Sequence, residues 1–432
     1  MNFYNLKHKE EQLNFKEATI KGQGKDKGLF FPEDISKFSN EFLQNLPNLS
    51  NEEIAFQVMK DFAGDEIPEA ELRKIVAETI AFEIPLKKVT ENISVLELFH
   101  GPTLAFKDVG ARFMSRCLGY FLKNETRKVT VLVATSGDTG GAVANGFYDV
   151  EGIEVVILYP KNRVSPVQEK QLTALGKNIH ALEVNGSFDD CQALVKQAFS
   201  DESLTEKLLL TSANSINVAR WLPQQIYYVL ALKQWLKNNS ENPVICVPSG
   251  NFGNICAGIL AHHRGLPVEH FIAACNVNDV VPEYLRTEIL QPKETVATIS
   301  NAMDVGDPSN FVRILELFDK EFNQVKNKLS GYTIDDEETL KTIERVEKDY
   351  GYVLDPHGAV AFVALEKYLT ENDGKGFFLE TAHPVKFPDS VEQATGKSVE
   401  IPKSLEELMK QEKFTTEINP QYEELKEFLL KK

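Results

Sequence analysis

Val129-Thr130-Val131-Leu132-Val133 leads into Ala134-Thr135-Ser136-Gly137-Asp138-Thr139-Gly140-Gly141-Ala142 and on through Val143 and Ala144. A β-branched apolar run, a turn crowded with glycines and hydroxyls, and a small-residue stretch read as strand, turn and helix. N–H and O–H groups in such a turn can line a bound carboxylate or a ring. The plainer reading is a Gly-rich turn with Asp138 or Thr139 as helix N-cap. No G-x-G-x-x-G with an acidic residue about 20 positions on accompanies it, which argues against a dinucleotide site.

The same order recurs on either side. Strand-like runs at 129–134, 154–159, 180–184, 208–211, 244–247 and 270–274 alternate with helical patterns near 140–148, 166–175, 189–199, 217–237 and 252–264. This alternation predicts an α/β fold whose mostly parallel sheet has helices on both faces, with binding loops at the C-terminal strand ends. Residues 1–90 are a mixed, Phe-rich region with helical patterns at 50–63 and 68–82. The charged stretch 320–350 reads as helical. Asp355–Lys367 reads as a helix, 376–379 as a last buried strand, and the Lys/Glu-rich tail from 398 as a helical cap.

A second turn, Pro248-Ser249-Gly250-Asn251-Phe252-Gly253-Asn254, follows Val244–Val247 and precedes the apolar stretch 255–261. Glycines let backbone approach an anion, and the N–H groups of a helix start point at it, so phosphate is the natural ligand. The turn lacks the lysine of a nucleoside-triphosphate P-loop. An ordinary strand-to-helix loop is the alternative.

Lys107, in His100-Gly101-Pro102-Thr103-Leu104-Ala105-Phe106-Lys107-Asp108, follows a Gly-Pro turn and starts an amphipathic helix. Its neighbours Leu104, Ala105, Phe106 and Val109 disfavour the charged amine. That is the setting of a nucleophilic, Schiff-base lysine, against the plainer reading of a surface lysine at a helix start.

Composition narrows the class. The 432 residues suggest two or three domains. A net charge of −17 argues against nucleic-acid binding and fits a cytoplasmic protein. Five cysteines without C-x-x-C spacing argue against a disulfide framework or a metal site. No apolar run is long enough for a membrane span, and Met1–Gln12 has no signal-peptide core.

These segments run in order with Tyr4-Asn5-Leu6, Gly28-Leu29-Phe30-Phe31-Pro32, Tyr159-Pro160 and Ser165-Pro166-Val167-Gln168-Glu169-Lys170. Beyond them come Asn214-Ser215-Ile216-Asn217, Asn276-Val277-Asn278-Asp279, Asn301-Ala302-Met303-Asp304 and Thr381-Ala382-His383-Pro384. Together they resemble the threonine synthase family, in its shorter microbial and fungal form, over nearly the whole chain.

The resemblance implies a fold type II, tryptophan synthase beta-like enzyme dependent on pyridoxal 5′-phosphate (PLP), a lyase of threonine biosynthesis. It would have an N-terminal domain at 1–90, a large lobe from 91–124 and 216–432, and a small lobe at 125–215. It would convert O-phospho-L-homoserine and water to L-threonine and phosphate, acting on a small molecule as monomer or homodimer.

Lys107 would be the cofactor lysine and acid/base. Gly250, Asn251, Phe252, Gly253 and Asn254 would cradle the cofactor phosphate, and Thr381 would face the ring nitrogen. Ser136, Gly137, Asp138, Thr139 and Gly140 would hold the substrate carboxylate beside the ring. Many fold type II enzymes carry Asn where Asp138 stands, and an ionised Asp would repel a ring phenolate. Lys161, Arg163, Ser165, Asn217 and Arg220, with Lys170, are candidates for the substrate phosphate. His100 and His383 lie in matching motifs without an assigned step. A PLP-dependent phospholyase, a hydroxy-amino-acid dehydratase giving 2-oxobutanoate, and a non-catalytic descendant of the fold stand as alternatives.

Overall fold

The computed structural model describes residues 1–123 and 128–431. Among these residues three sheets carry the fold. A six-stranded sheet runs Leu329–Thr333, His270–Cys275, Val244–Pro248, Gly376–Glu380, Ile93–Glu97, Leu86–Lys88, parallel except at the last pair. An all-parallel five-stranded sheet runs Thr415–Ile418, Ile179–Val184, Ile153–Pro160, Val129–Ala134, Leu209–Thr211. Asn2–Asn5 pairs antiparallel with Gln12–Asn14 and Phe30–Pro32 in the N-terminal region. The molecule is a mixed α/β protein with two mainly parallel sheets and an N-terminal domain.

Parallel strands covered on both faces carry unbroken apolar runs. Val129–Ala134 and Val244–Pro248 are accordingly buried at every position. Val129, Val131 and Val133 enter the main core, while Leu132 and Ala134 turn to the other face and meet Leu194 and Leu429. That split is the period-two alternation of a strand. Helix Lys107–Leu122 buries Val109, Phe113, Met114, Cys117 and Leu118 in the main core and packs on helices Asp138–Phe147 and Val218–Trp221.

Three expectations need revision or fall outside view. The stretch 320–350 is not continuous helix: Leu329–Thr333 is an edge strand parallel to His270–Cys275, between helices Phe322–Lys328 and Asp336–Tyr350. Only its first residue is buried, so the apolar alternation that marks a strand is missing. The tail is not a cap on the larger lobe, where the span 216–432 had placed it. Thr415–Ile418 pairs with Ile179–Val184, and helix Tyr422–Leu430 buries Leu425 and Leu429 against the smaller sheet. The expected border between 91–124 and 125–215, like residue 432, lies outside the described residues.

Candidate active site

The loop before Lys107 is sewn to the end of strand Gly376–Glu380. Leu98 N–H donates to the Glu380 carbonyl at 2.9 Å, Phe106 N–H to the Thr381 carbonyl at 2.9 Å, and His383 N–H to the Leu104 carbonyl at 3.0 Å. Ala105 and Ala382 form an antiparallel bridge. The Asp108 carboxylate, buried at the helix start, accepts from Thr103 N–H at 2.9 Å and Thr103 Oγ1 at 2.5 Å. A side chain at Gly101 would collide with that carboxylate, which explains the glycine. These bonds hold Lys107 in the first helical turn, beside the strand end that carries Thr381.

The Lys107 amine has no ion pair or hydrogen bond among the described residues; the ring of Phe106 lies 5.7 Å from Nζ. The side chain is half-buried. Desolvation pulls its pKa down to about 8, with Lys386 and Arg220 adding to the effect and Asp138 opposing it.

At the first turn, Thr135 Oγ1 accepts from Gly137 N–H at 3.0 Å and Gly140 N–H at 2.9 Å. Gly137 has φ of 140°, outside the range of L side chains, and a Cβ there would strike Gln168. Ser136 and Thr139 are half-exposed, and their hydroxyls make no hydrogen bond among the described residues. Asp138 is buried and paired with Lys386 at 2.7 Å, and Gln168 Nε2 donates to its Oδ1 at 2.9 Å. Burial alone would raise this carboxyl, but Lys386 and Lys107, with Gln168, hold it well below the usual range.

The second turn is neutral. Asn251 C=O accepts from Asn310 N–H at 3.1 Å and Asn310 Nδ2 at 3.0 Å. Tyr228 donates its hydroxyl to Asn254 Oδ1 at 2.6 Å. Phe252 takes a left-handed conformation, φ 61°, and helix Gly253–His263 starts without a side-chain cap. Its first N–H groups are open, and Asn254 Nδ2 is buried without a partner. A Cβ at Gly250 would lie 2.8 Å from Met303 Cα and one at Gly253 3.2 Å from Ser215 Cβ, so bulk is excluded where an anion would approach. An orphaned buried donor, an uncapped helix start and a glycine-lined approach fit a phosphate ester such as that of PLP. Thr381 is buried and its hydroxyl also has no partner among the described residues, which leaves it available to a ring nitrogen.

The other candidates divide. Lys161 pairs with Glu417 at 2.7 Å. Ser165 caps helix Pro166–Thr173 in a box with Gln168. Lys170 donates to the Gln411 carbonyl. Asn217 is a buried N-cap whose amide donates to Thr19 C=O at 2.9 Å and Ser212 C=O at 3.2 Å. Arg220 is buried, bonded to the Ala213 carbonyl, with its Nε unpartnered beside Gly110. Arg163 is exposed, and among the described residues its guanidinium has no ion pair. It follows strand Ile153–Pro160 on the strand-end side that carries Asp138 and Gln168. His100 binds Glu97 at 2.6 Å, and His383 caps its turn, with burial pulling its pKa to about 4.

Lys386 and Gln168 entered no sequence-based site list, although both reach Asp138. Lys386 sits between Val385 and Phe387, and the apolar-neighbour argument applied to Lys107 would have found it.

The chain has relatives among known proteins. Residues 80–376 match a family model for pyridoxal-phosphate dependent enzymes, residues 2–80 one for the threonine synthase N terminus, and residues 358–429 one for the threonine synthase C-terminal region. The chain is 46 % identical over 431 residues to threonine synthase of Haemophilus influenzae, covering 100 % of each. It superposes on the crystal structure of threonine synthase from Escherichia coli with a TM-score of 0.93 at 44 % identity, covering 100 % of both chains. With PLP-bound threonine synthase from Brucella melitensis the TM-score is 0.93 at 35 % identity, covering 99 % of this chain and 98 % of the other.

Proposed function

The chain belongs to the threonine synthase family, and on that premise we propose that Lys107 carries its cofactor and moves its protons. The enzyme is a PLP-dependent lyase that converts O-phospho-L-homoserine and water to L-threonine and phosphate. The observation that carries the proposal for Lys107 is its unpaired amine, set beside the strand end that carries Thr381 and lowered to about 8.

PLP, when bound, supplies an electron sink for negative charge developed at the substrate α-carbon. Gly250–Asn254 would hold its phosphate through open N–H groups and Asn254 Nδ2, and Thr381 Oγ1 would meet its ring nitrogen as a neutral partner. The N–H groups of Ser136, Asp138 and Thr139, with the Ser136 and Thr139 hydroxyls, would receive the substrate carboxylate, because those of Gly137 and Gly140 are taken by Thr135 Oγ1. An amine that titrates near 8 is neutral often enough near neutral pH to accept protons from Cα and Cβ, and charged often enough to return one to Cγ and, once water has added at Cβ, one to Cα. Its freedom from hydrogen bonds leaves it able to reach all three carbons. Arg163 is the candidate cation left free to meet the phosphate that departs from Cγ.

We further propose three working parts: 1–90, the six-stranded sheet with its helices, and the segment 128–215 completed by 415–430. The acidic net charge of −17 supports a cytoplasmic location. Product analysis tests the function. Purified enzyme given O-phospho-L-homoserine is expected to release threonine and phosphate in equal amounts. Phosphate accompanied by 2-oxobutanoate instead of threonine would make the chain a lyase of another specificity.

A further inference from the structure

Lys107, Lys386 and Asp138 lie close together, and only Lys386 obtains the carboxylate. Lys386 has no exposed side-chain surface and pairs with Asp138 at 2.7 Å. The same ammonium donates to the Thr103 carbonyl at 2.8 Å. Thr103 in turn binds Asp108, the residue after Lys107. Gln171 Nε2 donates to that carbonyl too, at 3.0 Å, which fixes the acceptor from a second side. One buried cation thus braces the turn after strand Val129–Ala134 and the loop before helix Lys107–Leu122. Without it, Asp138 would be left as an anionic partner for Lys107, and an ion pair between them would keep the nucleophile protonated.

We propose that Lys386 is a positioning residue that sets the charge state of Lys107 by taking up Asp138, the carboxylate that would otherwise be left to pair with that amine. The proposal rests on Lys107 being the cofactor lysine. The charged and titratable groups around Lys107 come from every neighbouring element. They are Asp138 on its helix, Lys386 after strand Gly376–Glu380, and Arg220 on Val218–Trp221. Asp108 and Arg112 lie on its own helix, and Tyr227 donates its hydroxyl to the Phe106 carbonyl. Among them Lys386 acts twice, once directly on Lys107 and once by neutralising Asp138. The arrangement also answers the repulsion that an isolated Asp138 would exert on a ring phenolate, because the carboxylate is compensated before a cofactor arrives.

The full-length protein freed of cofactor provides the test. The rate of covalent PLP capture is followed by absorbance across about pH 6 to pH 10. The wild-type midpoint is expected near about 8. Lys386→Met should move it up by about one pH unit, and Asp138→Asn should move it down by about as much, because the two changes remove charges of opposite sign. Lys386→Arg, which keeps the charge, should return close to wild type. A purely structural role would lower capture in the variants without moving the midpoints in opposite directions. Midpoints that stay fixed or move the same way overturn the proposal. If Lys386→Met does not fold, Asp138→Asn decides: a fall supports the proposal and anything else overturns it. Capture that persists in Lys107→Ala would remove the underlying reading of Lys107 along with it.

Discussion

At Ser249–Asn254 the chain offers an anion uncharged donors; at Ser136–Gly140 it offers donors beside a compensated ion pair. Both turns follow a fully buried strand, and both open a helix. The second turn is shaped by Asn310 and Tyr228, and its orphaned Asn254 Nδ2 is a dipole, not a charge. The first holds Asp138, balanced by Lys386 and touched by Gln168. A tightly held phosphate can be satisfied by N–H groups at a helix start. A substrate that must enter and leave, next to a lysine that must change protonation state, needs a local charge that is set in advance. The contrast suggests that the neutral turn anchors the cofactor and the charged one governs reactivity.

The largest effect should come from filling the neutral turn. In Gly250→Ala the new Cβ would lie 2.8 Å from Met303 Cα and 2.9 Å from the Ala302 carbonyl oxygen, both backbone atoms that cannot rotate away. Overpacking of this kind should weaken PLP binding about 10- to 100-fold. Equilibrium titration of cofactor-free protein measures it, and unchanged affinity would break the assignment of the anchor.

A smaller effect sharpens the other side of the comparison. Folding lowers the Lys107 pKa from 10.5 to about 8, so the unfolded chain binds more protons and the folded state carries a penalty below about pH 8. The penalty fades as pH rises from 8 to 10.5. Lys107→Met should therefore stabilise the cofactor-free protein near neutral pH, on the order of 2 kcal/mol after allowing for the partly exposed side chain. Denaturant unfolding at about pH 7 and about pH 10.5 would show the gain at the first and little at the second. A gain independent of pH would mean that packing, not charge, explains it.

Part of this candidate site was legible from local pattern. Lys107 and the two turns lie at strand ends or helix starts, where a few adjacent residues define both geometry and chemistry, whereas Thr381 came only with the family resemblance. What escaped depends on residues distant in the chain. Lys386 has a local signal in its neighbours Val385 and Phe387, but its pairing with Asp138, far away in the chain, has none. Asn217 carries the right chemistry for a phosphate contact, but a polar side chain just before a helix is also a cap, and capping prevails here. Thr415–Ile418 escaped because three of its four residues are exposed: its backbone is paired, but its side chains carry no apolar alternation. Buried parallel strands declare themselves in sequence, whereas edge strands depend on a partner that only the fold supplies.

The central claim is that Lys107, and no other amine of this candidate site, carries the cofactor. Borohydride reduction of the PLP-loaded enzyme, followed by peptide mass spectrometry, tests it directly. The account predicts a pyridoxyl phosphate group on Lys107 alone, lost in Lys107→Ala. The same group on Lys386, the other lysine at Asp138, or on no lysine at all, would contradict it.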